Sequence, residues 1–261
     1  MNAPRTTAIS GPVLFARYAY PPNSLGLCGP KDPGGLWQAT VEGVDLDHLA
    51  HLASQFEGAW PYLKLIAAAN NIDDPLDARV VQAYWLGNEL IRRVPMATLA
   101  ASLDDRFSQR TGRKFESLVA AAVAGAVAQH SFHVFAVYPW LGLLRAGKQG
   151  PPLEVLDRCR IRWGRIESID GDTALVMSQP LEFVGSRLVL GAPRVERVHY
   201  RFEHSGFVED LLPGDLVSMH WDWICDHLSA ISLNWLQVCT RHNLAAVNAL
   251  AHPGPAIICG A

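Results

Sequence analysis

Apolar residues recur at helical spacing through the first half of the chain. Between about residues 45 and 146 they fall three or four positions apart, as in the series Leu76, Val80, Tyr84, Gly87 and Ile91. Asp74 fits the cap of this helix, with Pro75 in its first turn. A later alanine-rich stretch that begins at Ser117 is expected to form a central helix. The pattern therefore predicts a bundle of four or five helices.

The apolar period changes to two after Lys148. The segments 159–169, 173–181, 187–192, 194–202 and 216–221 are short, rich in β-branched and aromatic residues, and separated by turn sequences such as DGD and LPGD. They predict a small antiparallel β-barrel. Helical spacing then returns from Ser229 to about Leu250, with Ser229 as a candidate cap. The buried face of this helix is expected at Ile231, Trp235, Val238, Leu244 and Val247.

We therefore expect an α+β protein in two parts. The first part is a loop and helical bundle over residues 1–148, and the second is a barrel with a closing helix over residues 153–261. With 261 residues, 49% of them hydrophobic, the chain is long enough to bury a substantial core. Charged residues are only 18% and the formal net charge is -3, so we expect binding neither to nucleic acid nor to an anionic membrane surface.

Two further features concern the cellular compartment. The longest apolar region is interrupted by Gln129 and Pro139, so a buried helix is expected there in place of a membrane span. The cysteines are odd in number and form no C-x-x-C pair, which favours reduced thiols in the cytoplasm over a disulfide framework. They are Cys28, Cys159, Cys225, Cys239 and Cys259.

Two motifs in the strand-rich part carry a family resemblance. Cys159 precedes Gly164 by five residues and is followed by an apolar strand and an IDG turn, and His220 lies six residues after Gly214 of the PGD turn. In these features the region from Cys159 to about Leu250 resembles the HypC/HupF hydrogenase maturation chaperones. The resemblance implies a small OB-like barrel with a trailing helix. The whole chain is also similar to an uncharacterised bacterial family that is loosely associated with hydrogenase gene clusters.

The resemblance implies a function in assembling the iron centre of [NiFe] hydrogenases. By match of position, Cys159 and His220 would hold an iron unit with its cyanide and carbonyl ligands. The expected partners are the hydrogenase large-subunit precursor or a HypD-like scaffold protein. The residue types agree with this, because a thiolate and an imidazole suit borderline or low-spin iron and leave coordination positions open.

The segment HWDWICDHL adds two candidates beside His220. Asp222 is a candidate to orient an imidazole through a hydrogen bond, and Cys225 is a candidate further soft ligand. The alternative for Cys225 is a packed core position beneath the last helix.

Two other features of the sequence suggest that the protein is an enzyme. Cys28 lies in the irregular stretch YPPNSLGLCGP, where an accessible thiol can act as a nucleophile. His130 and His133 are three residues apart, so both can lie on one helix face as ligands or proton carriers. The alternative for both is a hydrogen-bonded position in the core. An enzyme using Cys28 with His130 or His133 to produce or process a diatomic ligand is therefore one alternative function. A protein-binding module without metal is another.

Overall fold

The computed structural model describes residues 9–41, 46–111, 124–148 and 150–250. Its first part is helical, as predicted. The helices are α1 (Gly11–Ser24), α2 (Pro33–Val41), α3 (Leu46–Ser54), α4 (Trp60–Ala69), α5 (Ala78–Trp85) and α6 (Met96–Thr111). None of the helices within the described residues is both long and apolar enough to cross a membrane.

The predicted helix from Asp74 is shorter than expected at both ends. Its cap is Asp77, whose side chain accepts a hydrogen bond from the Arg79 amide, while Asp74 accepts one from Leu76 in the preceding turn. The helix stops at Trp85 because Gly87 takes the left-handed conformation with φ 89°. A short 3₁₀ helix, Glu89–Arg93, follows.

The prediction of a long central helix from Ser117 is wrong for the residues that the structure describes. Residues 112–123 lie outside the described residues, and residues 124–129 form turns. Helical structure resumes as a single turn, His130–Phe132, which continues directly into a π-helix, His133–Val137. Two further helices follow, α7 (Trp140–Arg145) and α8 (Pro151–Cys159). Cys159 therefore ends a helix and does not begin a strand.

Seven strands follow α8: β1 (Arg162–Asp170), β2 (Thr173–Ser178), β3 (Leu181–Val184), β4 (Arg187–Leu190), β5 (Arg194–His199), β6 (Leu216–His220) and β7 (Trp223–His227). Five of them pair in the order β1-β2-β5-β7-β6, and β6 pairs again with β1. The β5–β7 contact is parallel and rests on one residue pair, His199 with Trp223, so the expectation of a purely antiparallel arrangement is wrong there. Strands β3 and β4 form a separate hairpin. The fold is mixed α+β.

The last helix, α9 (Ala230–Ala249), begins at the predicted cap. The Ser229 hydroxyl accepts a hydrogen bond from the Ser232 amide. The predicted buried stripe is only partly right, since Leu244 and Val247 are buried but Ile231 is 74% exposed. The buried face of α9 also includes Leu236, Cys239, Thr240, Asn243 and Ala246.

One hydrophobic core joins the helical part to the strands. It combines Phe15 and Tyr18 of α1 with Ile161, Trp163 and Cys225 of the strand-rich part. Polar contacts cross the same boundary: the Tyr18 hydroxyl is 2.7 Å from the Ser218 hydroxyl, and Arg17 pairs with Asp226 at 3.4 Å. The two sequence segments therefore pack on each other through α1, which brings side chains from both to one place.

Candidate metal site

Three buried side chains from separate elements meet beside α1. Cys159 ends α8, His220 ends β6, and His130 begins the single helical turn before the π-helix. The cysteine sulfur and one nitrogen of each ring lie within 4.8 Å of one another. The three residues are only 6%, 1% and 5% exposed, respectively. This is a compact group of one thiol and two imidazoles.

A buried ion pair fixes the backbone that carries Cys159. Arg160 follows the cysteine, and its guanidinium is 2.9 Å from the Asp157 carboxylate. The same carboxylate oxygen accepts a hydrogen bond of 2.9 Å from the Leu181 amide at the start of β3. Because Asp157 thereby joins α8 to β3 and to the segment that enters β1, the position of Cys159 is set by contacts on both sides.

The hydrogen bonds of His220 leave one ring nitrogen available. Its Nδ1 lies 2.6 Å from the Tyr18 carbonyl, and because a carbonyl only accepts, Nδ1 carries the proton. Burial, with His130 nearby, lowers the pKa of His220 well below its usual value, so the ring is neutral near pH 7. The lone pair is therefore on Nε2, which is buried and has no hydrogen-bond partner among the described residues.

Both nitrogens of His130 are already engaged. Its Nε2 donates to the Cys159 carbonyl at 2.8 Å, so Nδ1 accepts from the Tyr84 hydroxyl at 3.0 Å. The Cys159 carbonyl also faces His220, but it meets hydrogen-bond geometry only with His130. Burial lowers the pKa of His130 to about 4, which keeps this ring neutral as well.

The thiol of Cys159 is protonated while the site holds no cation. Burial raises its pKa, and a negative charge at Cys28 would raise it further. A cation entering the group would therefore replace the thiol proton, as happens when cysteine binds a metal. The ring of Trp85 lies 4.7 Å from the His130 ring and 5.8 Å from the His220 ring, so the group is enclosed by aromatic side chains.

The turn that follows His220 is strained and strongly held. Trp221 has a φ of 50°, a left-handed conformation that is unfavourable for a large side chain. Its amide donates to the Arg158 carbonyl at 2.8 Å, and its own carbonyl accepts from Arg162. The carboxylate of Asp222 pairs with the Arg158 side chain. Asp222 was a candidate to orient His220 or a neighbouring imidazole; its side chain pairs with Arg158, and the Tyr18 carbonyl orients His220.

The other predicted site residues are not members of this group, although the Cys225 thiol contacts the His220 backbone and a charge at Cys28 would act on Cys159. Cys225 is fully buried in the core, and its thiol is 3.7 Å from the Trp223 carbonyl. Cys28 is partly exposed, and burial raises its pKa to about 12, so the thiolate expected there is disfavoured at neutral pH. His133 lies against Tyr62 and Tyr138, with ring centroids 5.6 and 4.7 Å away.

Sequence reasoning missed the residues that orient the two imidazoles. Tyr18 and Cys159 act on the rings through backbone carbonyls, which no residue type signals. Tyr84 was assigned to a buried helix face, and nothing in the helical spacing indicated that its hydroxyl would reach His130. Only the fold shows these contacts.

The chain matches a family described as a family of unknown function (DUF6390) over residues 7–253. No curated protein and no solved structure matches it.

Proposed function

The chain belongs to the DUF6390 family, whose function is unknown, and on the geometry of its buried site we propose that it is an accessory protein in [NiFe] hydrogenase maturation. Cys159 and His220 hold or transfer the iron unit with its diatomic ligands. The observation that supports this best is the His220 Nε2 lone pair, which is buried, makes no hydrogen bond among the described residues and belongs to a ring in the same group as the Cys159 thiol. The resemblance of the two surrounding motifs to the HypC/HupF chaperones supplies the biological context.

The chemistry of the two donors fits a carrier of iron. A thiolate and a neutral imidazole bind borderline and low-spin metals well, and two protein donors leave positions for cyanide, carbonyl or a partner's thiol. Release then occurs by exchange of ligands, without unfolding of the carrier. In this proposal the five-stranded unit acts as an OB-like barrel, the protein acts in the cytoplasm, and its partners are the hydrogenase large-subunit precursor or a HypD-like scaffold protein.

Metal analysis tests the proposal directly. Protein isolated without oxygen from cells that express the hydrogenase maturation machinery should contain iron and show cyanide or carbonyl stretching bands in the infrared. Cys159→Ser should lose most of the iron, because a neutral hydroxyl replaces a soft thiolate poorly. Cys239→Ser is the matched control, since Cys239 is also a buried free cysteine but is not part of the three-residue group. Equal iron in both variants would refute the proposal.

Partner capture gives a second measurement. The large-subunit precursor or the scaffold protein should co-purify with the wild type and with Cys239→Ser, but not with Cys159→Ser. If the same complex is recovered from all three proteins and none of them contains iron, the chain is a metal-free binding module.

A further inference from the structure

We propose that His130 is a third metal ligand, so that the site presents one thiolate and two imidazoles. A four-coordinate divalent cation then has one position left for an anionic ligand, and six-coordinate iron has three positions left for its diatomic ligands. The inference rests on the proposed metal-holding role of Cys159 and His220, and it extends the site into the helical part of the chain. None of the sequence motifs in the strand-rich part includes His130.

The distances permit a three-donor site with small side-chain movements. The ligand atoms of the three residues are within 4.8 Å of one another. In a tetrahedral site with metal–nitrogen bonds of about 2.0 Å and metal–sulfur bonds of about 2.3 Å, neighbouring ligand atoms are roughly 3.3 Å (nitrogen to nitrogen) and roughly 3.5 Å (nitrogen to sulfur) apart. Separations of up to 4.8 Å exceed these values by at most roughly 1.5 Å, a change that side-chain torsions can close.

The hydrogen bonds around both rings match those of metal-bound histidines. Such histidines usually donate their second ring N–H to a carbonyl or carboxylate, which fixes the ring orientation. His220 donates to the Tyr18 carbonyl at 2.6 Å, and His130 donates to the Cys159 carbonyl at 2.8 Å. When His130 binds the cation through Nδ1, it gives up the hydrogen bond from Tyr84 and keeps the one to the Cys159 carbonyl. His220 exchanges none.

The charges indicate what occupies the fourth position. A divalent cation with one thiolate and two neutral imidazoles leaves a net charge of about +1 in a buried site. Arg162, whose charge acts on His220, is already paired with Glu196, so this pair does not neutralise the excess charge. An anion in the fourth position does, and it must be small because the three ligands are at most 6% exposed. Cyanide or azide meets these requirements.

Cobalt(II) and zinc(II) test the number of ligands on the full chain. X-ray absorption of the zinc-loaded wild type should show one sulfur and two imidazoles. Cobalt(II), added without oxygen, should give thiolate-to-cobalt charge transfer and the intense visible bands of a four-coordinate site. Azide should shift those bands by taking the fourth position.

Two variants distinguish whether His130 binds the metal or only stabilises the structure. His130→Gln should lower cobalt affinity by at least about tenfold and weaken the visible bands, because an amide is a poor ligand for this cation. The side-chain amide of the glutamine can still donate a hydrogen bond to the Cys159 carbonyl. The metal-free variant should therefore have the same melting temperature as the metal-free wild type. Tyr84→Phe, which removes only the hydrogen bond at Nδ1, should keep the four-coordinate spectrum.

Two results would overturn the inference while leaving the proposed function intact. In the first, X-ray absorption of the zinc-loaded wild type shows a single imidazole. In the second, His130→Gln binds cobalt with the spectrum and affinity of the wild type. The first needs no variant, so it holds even if His130→Gln fails to fold. Unchanged cobalt binding by Cys159→Ser would instead refute both the inference and the proposed use of Cys159.

Discussion

Replacing Asp157 with asparagine tests the ion pair that sets the position of Cys159. The side chains of Arg160 and Asp157 are 1% and 10% exposed, and their charged atoms are 2.9 Å apart. Asparagine keeps an oxygen that can accept from the Leu181 amide, but it removes the negative charge that is paired with the buried Arg160 guanidinium. Breaking a buried pair in this way typically costs about 3 to 5 kcal/mol.

The expected loss is large enough to measure by either heat or denaturant. For a chain of this size each kcal/mol lowers the melting temperature by roughly 2 to 4 °C, so Asp157→Asn should melt roughly 6 to 20 °C below the wild type. Urea unfolding should give a lower midpoint with an unchanged slope. Cobalt affinity should fall as well, because the ion pair holds the end of α8 that carries Cys159.

The exposed pair of Arg197 and Asp170 is the matched control. Its charged atoms are also 2.9 Å apart, but the side chains are 55% and 70% exposed. Water and salt screen such a pair, so Asp170→Asn should cost less than about 1 kcal/mol. If Asp157→Asn destabilises the protein no more than Asp170→Asn does, the argument from burial is wrong.

Two further predictions concern the reactivity of Cys28 and the entry of metal to the group that contains Cys159. Because the pKa of Cys28 is about 12, its alkylation followed by mass spectrometry should become about tenfold faster with each pH unit up to pH 10, since the thiolate fraction grows in that proportion. A plateau near pH 9 would indicate an ordinary thiol and would revive the enzyme alternative. Trp221→Gly should speed cobalt loading in stopped-flow measurements, because it relieves the left-handed backbone and removes an indole that packs on the cluster containing Cys159. An unchanged loading rate would show that Trp221 does not limit entry.

The sequence predicted those parts of the fold that depend on local pattern. Alternating burial along β2 and the cap at Ser229 follow from residue type and spacing alone. Strand β7 was missed because the turn before it, at Trp221 and Asp222, contains no glycine or proline. Long-range contacts with Arg158 and Arg162 hold that turn, and no local pattern contains them.

The candidate site likewise combines a part that the sequence predicts with a part that depends on long-range contacts. Cys159 and His220 were expected together because they flank strands expected in one barrel, and β1 and β6 do pair, with Arg162 opposite Met219. His130 was considered only with His133 and Cys28, since helical spacing linked it to the former. Its actual neighbours depend on how α1, α8 and β6 pack, which the apolar period does not determine.

The balance of hydrogen bonds distinguishes a binding site from an ordinary polar core. A buried polar atom without a partner costs about 1 to 3 kcal/mol, and folds usually avoid this by pairing the atom or by replacing the residue with an apolar one. Both nitrogens of His130 have partners, so the proposal that it is a ligand rests on its distance from the other two donors, whereas Cys225 is packed as a small apolar side chain. His220 is different, because the Tyr18 carbonyl orients its ring and leaves the Nε2 lone pair beside a thiol. A cation bound there would satisfy the lone pair and replace the thiol proton, which is why we place the proposed metal at this pair.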